Sequence, residues 1–338
     1  MKALEINGYR SISMVDLPKP EPSDGEILLK TEYVGFCGSD LNTFRGKNTL
    51  AKMPVIPGHE ICARIESAGS NVPEGFTPGM LVTCDPYTGC GHCSACLNER
   101  SNACEHNATL GVQRDGGMCE YLVMPWQKVL PAGQLDPASV ALVEPMSVGF
   151  HAVDRGSVTD IDTVMVIGCG MIGIGAIIRS AMRGATVIAV DIDDSKLEMA
   201  KSFGAKHVIN SKDDDIHQRI SDITGGRGAS KVIEAVGSPL TQRQAIEEVG
   251  FTGTVVFIGY APSETTFLTK LFVQKELDIR GSRNAKPSDF RAVIHFLEHT
   301  SCPIEKLVSM KIKPEEAQAS LEKWNASPGK VFRILVGF

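Results

Sequence analysis

The sequence lacks a basic excess: lysine and arginine number 34 against 40 aspartates and glutamates, a formal charge of −6. Nucleic acid is therefore not an expected partner, because gripping a phosphate backbone needs a clustered positive surface. No long block of like charge stands out, and Asp213-Asp214-Asp215 reads as a solvated loop. Long hydrophobic runs are missing too. The longest uncharged stretch, Thr163 to Ile178, is too short to cross a bilayer and carries four glycines. The residues Met1-Lys2-Ala3-Leu4 lead into mixed polar and apolar sequence, without the apolar centre of a secretion signal. Internal repeats and low-complexity tracts are also absent. These absences predict a soluble, cytoplasmic protein with no membrane partner. What is present is globular: 43% hydrophobic and 22% charged residues over 338 positions, a length that suits about two domains.

Cysteine is plentiful, with ten residues. A long chain without a secretion signal uses cysteine for metal or catalysis more readily than for a disulfide framework. Cys90, Cys93, Cys96 and Cys104 crowd into one segment as C-x2-C-x2-C-x7-C. Thiolates two residues apart can converge on one ion, and four of them close a tetrahedral zinc shell with no open position. Such a site is structural and would staple the apolar-poor loop from Pro86 to Glu105. An iron–sulfur cluster or four separate thiols are the competing readings, though the ferredoxin run continues with a different spacing and a proline. Cys62, Cys84, Cys119, Cys169 and Cys302 sit among apolar neighbours and are expected to be buried.

Short apolar runs broken by Gly and Pro fill the first 150 residues: Gly25 to Lys30, Ile61 to Glu66, Met80 to Cys84, Tyr121 to Met124. That turn density predicts a β-rich, barrel-like domain. From about 160 the texture changes to strand–helix alternation. Val164–Ile167, Thr186–Val190, His207–Ile209, Lys231–Ala235 and Thr254–Ile258 read as buried strands, and a helix follows at Ser195–Phe203. This pattern predicts an α/β domain with a doubly wound parallel sheet over residues 151–281. Residues 282–338, with a helix at Ser288–His299 and a strand at Lys330–Val336, are expected to return to the first domain.

Gly168-Cys169-Gly170-Met171-Ile172-Gly173 is G-x-G-x-x-G between an expected strand and helix. In that context the backbone amides of residues 168–173 would approach a pyrophosphate at the helix N-terminus. Asp191, eighteen residues past Gly173, falls where a carboxylate binds adenosine ribose hydroxyls. A 2′-phosphate there would meet like charge from Asp191, Asp193 and Asp194, so NAD is expected rather than NADP. Cys37 is followed 22 residues later by His59, and Glu144 precedes Pro145. Thiolate, imidazole and carboxylate suit zinc, and three ligands leave a position for water or substrate. Taken singly, His59 could equally be a hydrogen-bonded loop residue and Glu144 a solvated carboxylate.

Together these segments resemble the zinc-dependent medium-chain dehydrogenases, the alcohol, sorbitol and threonine dehydrogenase superfamily, over essentially the whole chain. The resemblance is carried by Gly-Phe-Cys-Gly-Ser-Asp (35–40), Gly-His-Glu (58–60), the four-cysteine lobe and Asp-Gly-Gly-Met-Cys-Glu-Tyr (115–121). Glu-Pro (144–145), the glycine fingerprint and Gly-Ser-Arg-Asn-Ala (281–285) complete it. It implies a GroES-like β-barrel catalytic domain and a Rossmann NAD-binding domain. It also implies two zinc ions per chain, one catalytic and one structural in the cysteine lobe. Cys37 and His59 would be permanent ligands of the catalytic zinc, Glu60 and Glu144 the carboxylates that complete or exchange in its shell. Zinc would stabilise a substrate alkoxide, and Ser39 would pass the hydroxyl proton outward. Arg283 would contact the nicotinamide end of the cofactor, or else a substrate carboxylate. Asn42 stands where the family often has His, so any proton relay must end differently.

Alcohol dehydrogenases proper tend to have Cys where Glu144 falls, which points away from simple alcohols. The nearest resemblance is to bacterial enzymes oxidising sugar acids or polyols, such as L-galactonate or L-gulonate 5-dehydrogenases. L-threonine 3-dehydrogenase-like and sorbitol-type activities share the metal residues, and a non-catalytic NAD- and zinc-binding protein is the rival outside enzymes. Arg45 and Arg114 are further candidate carboxylate partners or surface residues. A homodimer or homotetramer is expected, with the Thr254–Ile258 region as a candidate exposed sheet edge.

Overall fold

The structure, a computed structural model, describes all residues 1–338. Its contacts divide the chain into two compact units, Met1–Glu144 with Lys286–Phe338, and Pro145–Ala285. In chain order the strands are β1 (Lys2–Gly8), β2 (Ser11–Asp16), β3 (Glu26–Phe36), β4 (Glu60–Ala68), β5 (Leu81–Cys84), β6 (Tyr121–Pro125) and β7 (Val129–Pro131). The second unit contributes β8 (Thr163–Ile167), β9 (Thr186–Asp191), β10 (His207–Asn210), β11 (Ala229–Glu234), β12 (Val249–Phe257) and β13 (Asp278–Gly281). The chain ends with β14 (Met310–Ile312) and β15 (Ile334–Gly337).

In the first unit β1 and β2 form a hairpin, and a second sheet runs β14-β15-β3-β4-β5-β7 with β6 also on β3. Strand β3 is the spine. It pairs antiparallel with β4 along its length, and with β6 and β15 at its two ends. Along it Ile27, Leu28, Leu29, Val34 and Phe36 are buried, while Lys30 reaches solvent. Phe36, Phe44, Ile61, Ile65, Met118 and Met124 fill the core around it. Each such side chain contributes roughly 1.5–3 kcal/mol by leaving water.

The second unit is the expected doubly wound sheet, all parallel, in the order β10-β9-β8-β11-β12-β13. Helices Met171–Met182, Asp194–Ser202, Ile216–Thr224 and Pro239–Glu248 connect successive strands. The order reverses between β8 and β11, and loops at the carboxyl ends of strands diverge at that switch point. No helix is long and apolar enough to cross a membrane.

Three sequence expectations need correction. The strand expected at Thr254–Ile258 belongs to β12 and lies inside the sheet, because β13 pairs outside it. With alternating Asp278, Ile279 and Arg280, β13 gives no apolar run to read. The last strand starts at Ile334 rather than Lys330, since Pro328–Lys330 forms a 3-10 turn that proline and glycine favour. Cys302 is only half-buried, next to Pro303 in a loop, whereas Cys62, Cys84, Cys119 and Cys169 are buried as expected.

Candidate active site and metal centres

Antiparallel pairing of β3 with β4 brings the end of one strand beside the start of the other, with Gly35 opposite Glu60. Cys37 follows β3 as the N-cap of the short helix Gly38–Phe44. Its N–H donates to Asp40 Oδ2 at 2.7 Å, which holds the backbone at the start of that helix. Glu60 opens β4 and His59 immediately precedes it. As a result one donor atom from each of Cys37, His59 and Glu60 lies within 4.8 Å of the other two. Gly35 is required here: a Cβ on it would stand 2.2 Å from Glu60 Oε2.

The Asp115–Tyr121 motif has a physical role in the same geometry. Its amides Gly116, Met118 and Gly117 donate to the carbonyls of Ile56, Pro57 and Gly58 at 2.7, 3.0 and 2.8 Å. In return Asp115 Oδ1 accepts from the Ile56 amide at 3.0 Å. The turn that presents His59 is thus held from both sides.

Glu144 stands in the first turn of the helix Val143–Arg155, where Pro145 is tolerated because no intrahelical N–H bond is needed. Its carboxylate accepts a short hydrogen bond from the buried Tyr87 hydroxyl. Arg333, also buried, holds Glu60: its Nε is 3.1 Å from Glu60 Oε2, an ion pair without hydrogen-bond alignment. Its Nη1 donates to the Phe36 carbonyl at 2.9 Å. Ser39 is half-buried, and its Oγ has no hydrogen-bond partner. Asn42 faces solvent.

The electrostatics of this cluster are one-sided. Burial pushes the Glu144 carboxyl up to about 7, with Glu60 adding to the push while His59, Tyr87 and Arg333 oppose it. Burial likewise raises Asp40 to about 6. For His59 burial works against the proton, yet the negative charges of Cys37, Glu144 and Asp40 outweigh it and hold the imidazole well above its ordinary range. The two carboxyls rise chiefly through burial, whereas the imidazole rises because the negative charges around it outweigh its burial. Both Glu60 oxygens and His59 Nδ1 are buried without a hydrogen-bond partner. A buried polar group without a partner costs free energy unless an ion takes it up, and only the unaligned Arg333 stands beside Glu60 Oε2. Thiolate, imidazole and carboxylate are a donor set that zinc accepts, and the residues fit it.

The second cluster is sulfur alone. The Sγ atoms of Cys90, Cys93, Cys96 and Cys104 all lie within 4.8 Å of one another, Cys90–Cys96 at 4.0 Å and Cys93–Cys104 at 3.8 Å. Backbone amides of Cys93 and His106 donate to Cys90 Sγ and Cys104 Sγ at 3.3 Å, as amides do around thiolate ligands. The lobe's own elements are a four-residue helix, Ser94–Leu97, and a three-residue 3-10 turn, too short to persist unaided. The arrangement fits a closed four-sulfur metal site.

In the second unit β8 runs into Gly168, and Gly170 caps the helix Met171–Met182. Gly173 admits no other residue, since its Cβ would meet the Gly168 carbonyl oxygen at 1.8 Å. Gly170 faces open space. Met171, Ile172 and Gly173 are the first helical residues, whose amides have no intrahelical partner. Asp191 ends β9; its Oδ2 accepts from the Cys169 amide at 2.7 Å and its Oδ1 from Ile192 and Asp193 at 2.8 and 3.1 Å. Oδ1 already accepts two amides, while Oδ2 retains lone-pair capacity for a further donor. Arg283 follows β13 by two residues, at the same carboxyl edge of the sheet as Gly168 and Asp191.

Not every candidate converged on these centres. Arg45 is tied to Asn325 through Nε at 2.6 Å, and Arg114 Nε donates to the Ala108 carbonyl at 2.9 Å. Tyr87 and Arg333 were not read from the sequence. For Arg333 the signal was a lone cation in the apolar run Val331–Val336. Tyr87 gave none, because its partner lies 57 residues away.

A barrel-edge metal centre and a parallel sheet with a glycine turn at its switch point define a dehydrogenase of the zinc-dependent, dinucleotide-linked class. Residues 23–134 match the alcohol dehydrogenase GroES-like domain and residues 172–299 the zinc-binding dehydrogenase family. An L-galactonate-5-dehydrogenase of Escherichia coli K12 is 35% identical over 274 residues, 81% of this chain and 80% of its own. A sorbitol dehydrogenase of Halalkalibacterium halodurans is 33% identical over 317 residues, 91% of this chain and 92% of its own. Among solved structures, a short chain alcohol dehydrogenase of Escherichia coli CFT073 complexed with NADH superposes with a TM-score of 0.92 at 28% identity, covering 100% of this chain and 99% of that one. The chain belongs to the zinc-binding medium-chain alcohol dehydrogenase family and is an oxidoreductase of the alcohol and polyol type.

Proposed function

We propose that the protein oxidises a secondary hydroxyl of a sugar acid or polyol to the ketone, passing the hydride to NAD. The observation that carries this reading is the cluster of half-buried Cys37 with buried His59 and Glu60, and Glu144 beside it. A second acidic side chain in place of a thiol gives the site an acceptor for the extra hydroxyls that polyols and aldonates bring. The sugar-acid and polyol activities of the two relatives support the same substrate class.

Cys37 and His59, with Glu60 or Glu144 completing the shell, would hold a zinc ion, which would supply Lewis acidity toward the substrate hydroxyl. The protein's own residues do the rest. Ser39, with its unpartnered Oγ, accepts the hydroxyl proton and hands it outward. Arg333 holds Glu60 and Tyr87 holds Glu144, so the two carboxylates keep separate orientations instead of collapsing onto one another. A second zinc in the Cys90–Cys104 lobe is structural. Gly168, Gly170, Met171, Ile172 and Gly173 receive the pyrophosphate of NAD on backbone amides. Asp191 accepts from the adenosine ribose hydroxyls and repels a 2′-phosphate. Arg283 contacts the nicotinamide half of the cofactor.

Ten cysteines, four of them in a metal lobe, favour the reducing cytoplasm. Self-association as a homodimer or homotetramer is supported by β13, whose outer edge is unpaired. The test is a panel of aldonates, polyols and L-threonine offered with NAD and with NADP, followed by reduced-nicotinamide absorbance, together with zinc analysis. Turnover of a polyol or aldonate with NAD and two zinc ions per chain is expected. Preferential turnover of L-threonine would reject the substrate class, and a chain that binds NAD without any turnover would reject the enzyme.

A further inference from the structure

The helix Pro287–His299 buries Phe290, Val293, Ile294, Phe296 and Leu297, so its opposite face meets solvent. That face carries His295, Glu298 and His299, all exposed. Residues four apart stack on one side of a helix, and here the two imidazole rings lie 4.3 Å apart, centroid to centroid. One nitrogen from each ring and one Glu298 oxygen all lie within 4.8 Å of one another.

Two observations go beyond spacing. Nδ1 of His299 is 2.7 Å from the carbonyl oxygen of His295. A carbonyl can only accept, so Nδ1 carries a proton, and in the neutral ring Nε2 is the nitrogen left to bind a metal. That is the tautomer in which metal-binding histidines are usually fixed. Glu298 Oε1 lies against Gly133, whose missing side chain leaves it room: a Cβ there would stand 2.0 Å away. The helix ends at His299, and its last unpaired carbonyls add negative potential beside the cluster.

We propose that His295, Glu298 and His299 form a surface site for a transition-metal dication of the zinc, nickel or copper class, separate from the Cys37 centre and the cysteine lobe. Two imidazoles with one carboxylate select these ions over calcium and magnesium, which take all-oxygen shells. Water completes the coordination because all three side chains are exposed. The ion therefore exchanges with solvent, and the site binds without catalysing. Arg291, one turn earlier and also exposed, lowers the affinity by its charge.

The experiment uses untagged holoprotein with its resident zinc, titrated calorimetrically with Ni²⁺ and separately with Zn²⁺. One additional ion per chain is expected. His295→Ala and His299→Ala should each weaken it at least about tenfold, and Glu298→Gln less, while resident zinc content and the circular dichroism spectrum stay unchanged. Two results overturn the site: holoprotein that takes up nothing beyond its resident zinc, or a double His295→Ala/His299→Ala variant that binds the extra ion as tightly as the parent.

Discussion

At Cys37 the chemistry depends on one sulfur. Replacing it with serine removes a thiolate from a cluster that already lacks positive charge, and the remaining His59 and Glu60 make a poor zinc site. Cys37→Ser should lower NAD reduction at least about a hundredfold, since even outer-shell losses cost that order. Zinc content should fall from two ions to one, with the melting temperature nearly unchanged. Retained turnover contradicts the assignment. Asp191 makes a second residue-scale case with an asymmetric outcome. Asp191→Ala removes a charged acceptor for ribose and also releases the Cys169 amide, so NAD affinity should drop about 10- to 100-fold. NADP loses the same acceptor but is freed from like-charge repulsion, so its affinity should change little in fluorescence titrations. Equal weakening removes Asp191 from ribose recognition. Cys37, His59 and Asp191 were legible because each sits in a short motif whose neighbours explain it. Arg333 and Tyr87 were not, because what makes them matter is a partner brought close only by folding.

Among the elements, the buried strands of the parallel sheet were the most legible, since Val164–Ile167 and Val187–Val190 are unbroken apolar runs. Strand β13 escaped notice because an edge strand with one solvated side alternates Asp278, Ile279 and Arg280. The cysteine lobe was legible for the opposite reason: it has so little apolar sequence that only its thiols could organise it. That gives a prediction linking element to chemistry. Cys104→Ala should release the structural zinc and let amides between Pro86 and Glu105 exchange as in an unfolded loop, measurable by hydrogen-exchange mass spectrometry. Tyr87 lies at the entrance to this lobe and bonds Glu144. Turnover should therefore fall as well, even though Cys37, His59 and Glu60 are untouched. Full activity with a disordered lobe would separate the two centres and remove Tyr87 from the mechanism.

For the whole molecule the open question is what covers the outer edge of β13. A sheet edge presents unpaired amides and carbonyls, and proteins either blunt it with charge or pair it. Here the blunting is partial. Arg280 is turned aside, donating to the Arg155 carbonyl at 2.8 Å, and Asp278 is its partner at 3.4 Å. Ile279 remains 42% exposed, and nearby in sequence Val273 is 83% and Leu268 59% exposed. Isolated apolar side chains need no explanation, but three along one edge strand and the segment leading into it favour burial by a partner. A two-fold pairing of β13 with its own copy would satisfy the edge and bury Ile279 in one step, the arrangement that closed symmetry makes cheapest. Ile279→Lys combined with Val273→Asp should place like charges across that contact. Light scattering coupled to size exclusion should then report a smaller species than the parent, with the far-UV spectrum of the parallel sheet retained. If the parent already runs as a monomer, or the double variant keeps the parent's mass, β13 is not the contact and the edge is protected by its own charges.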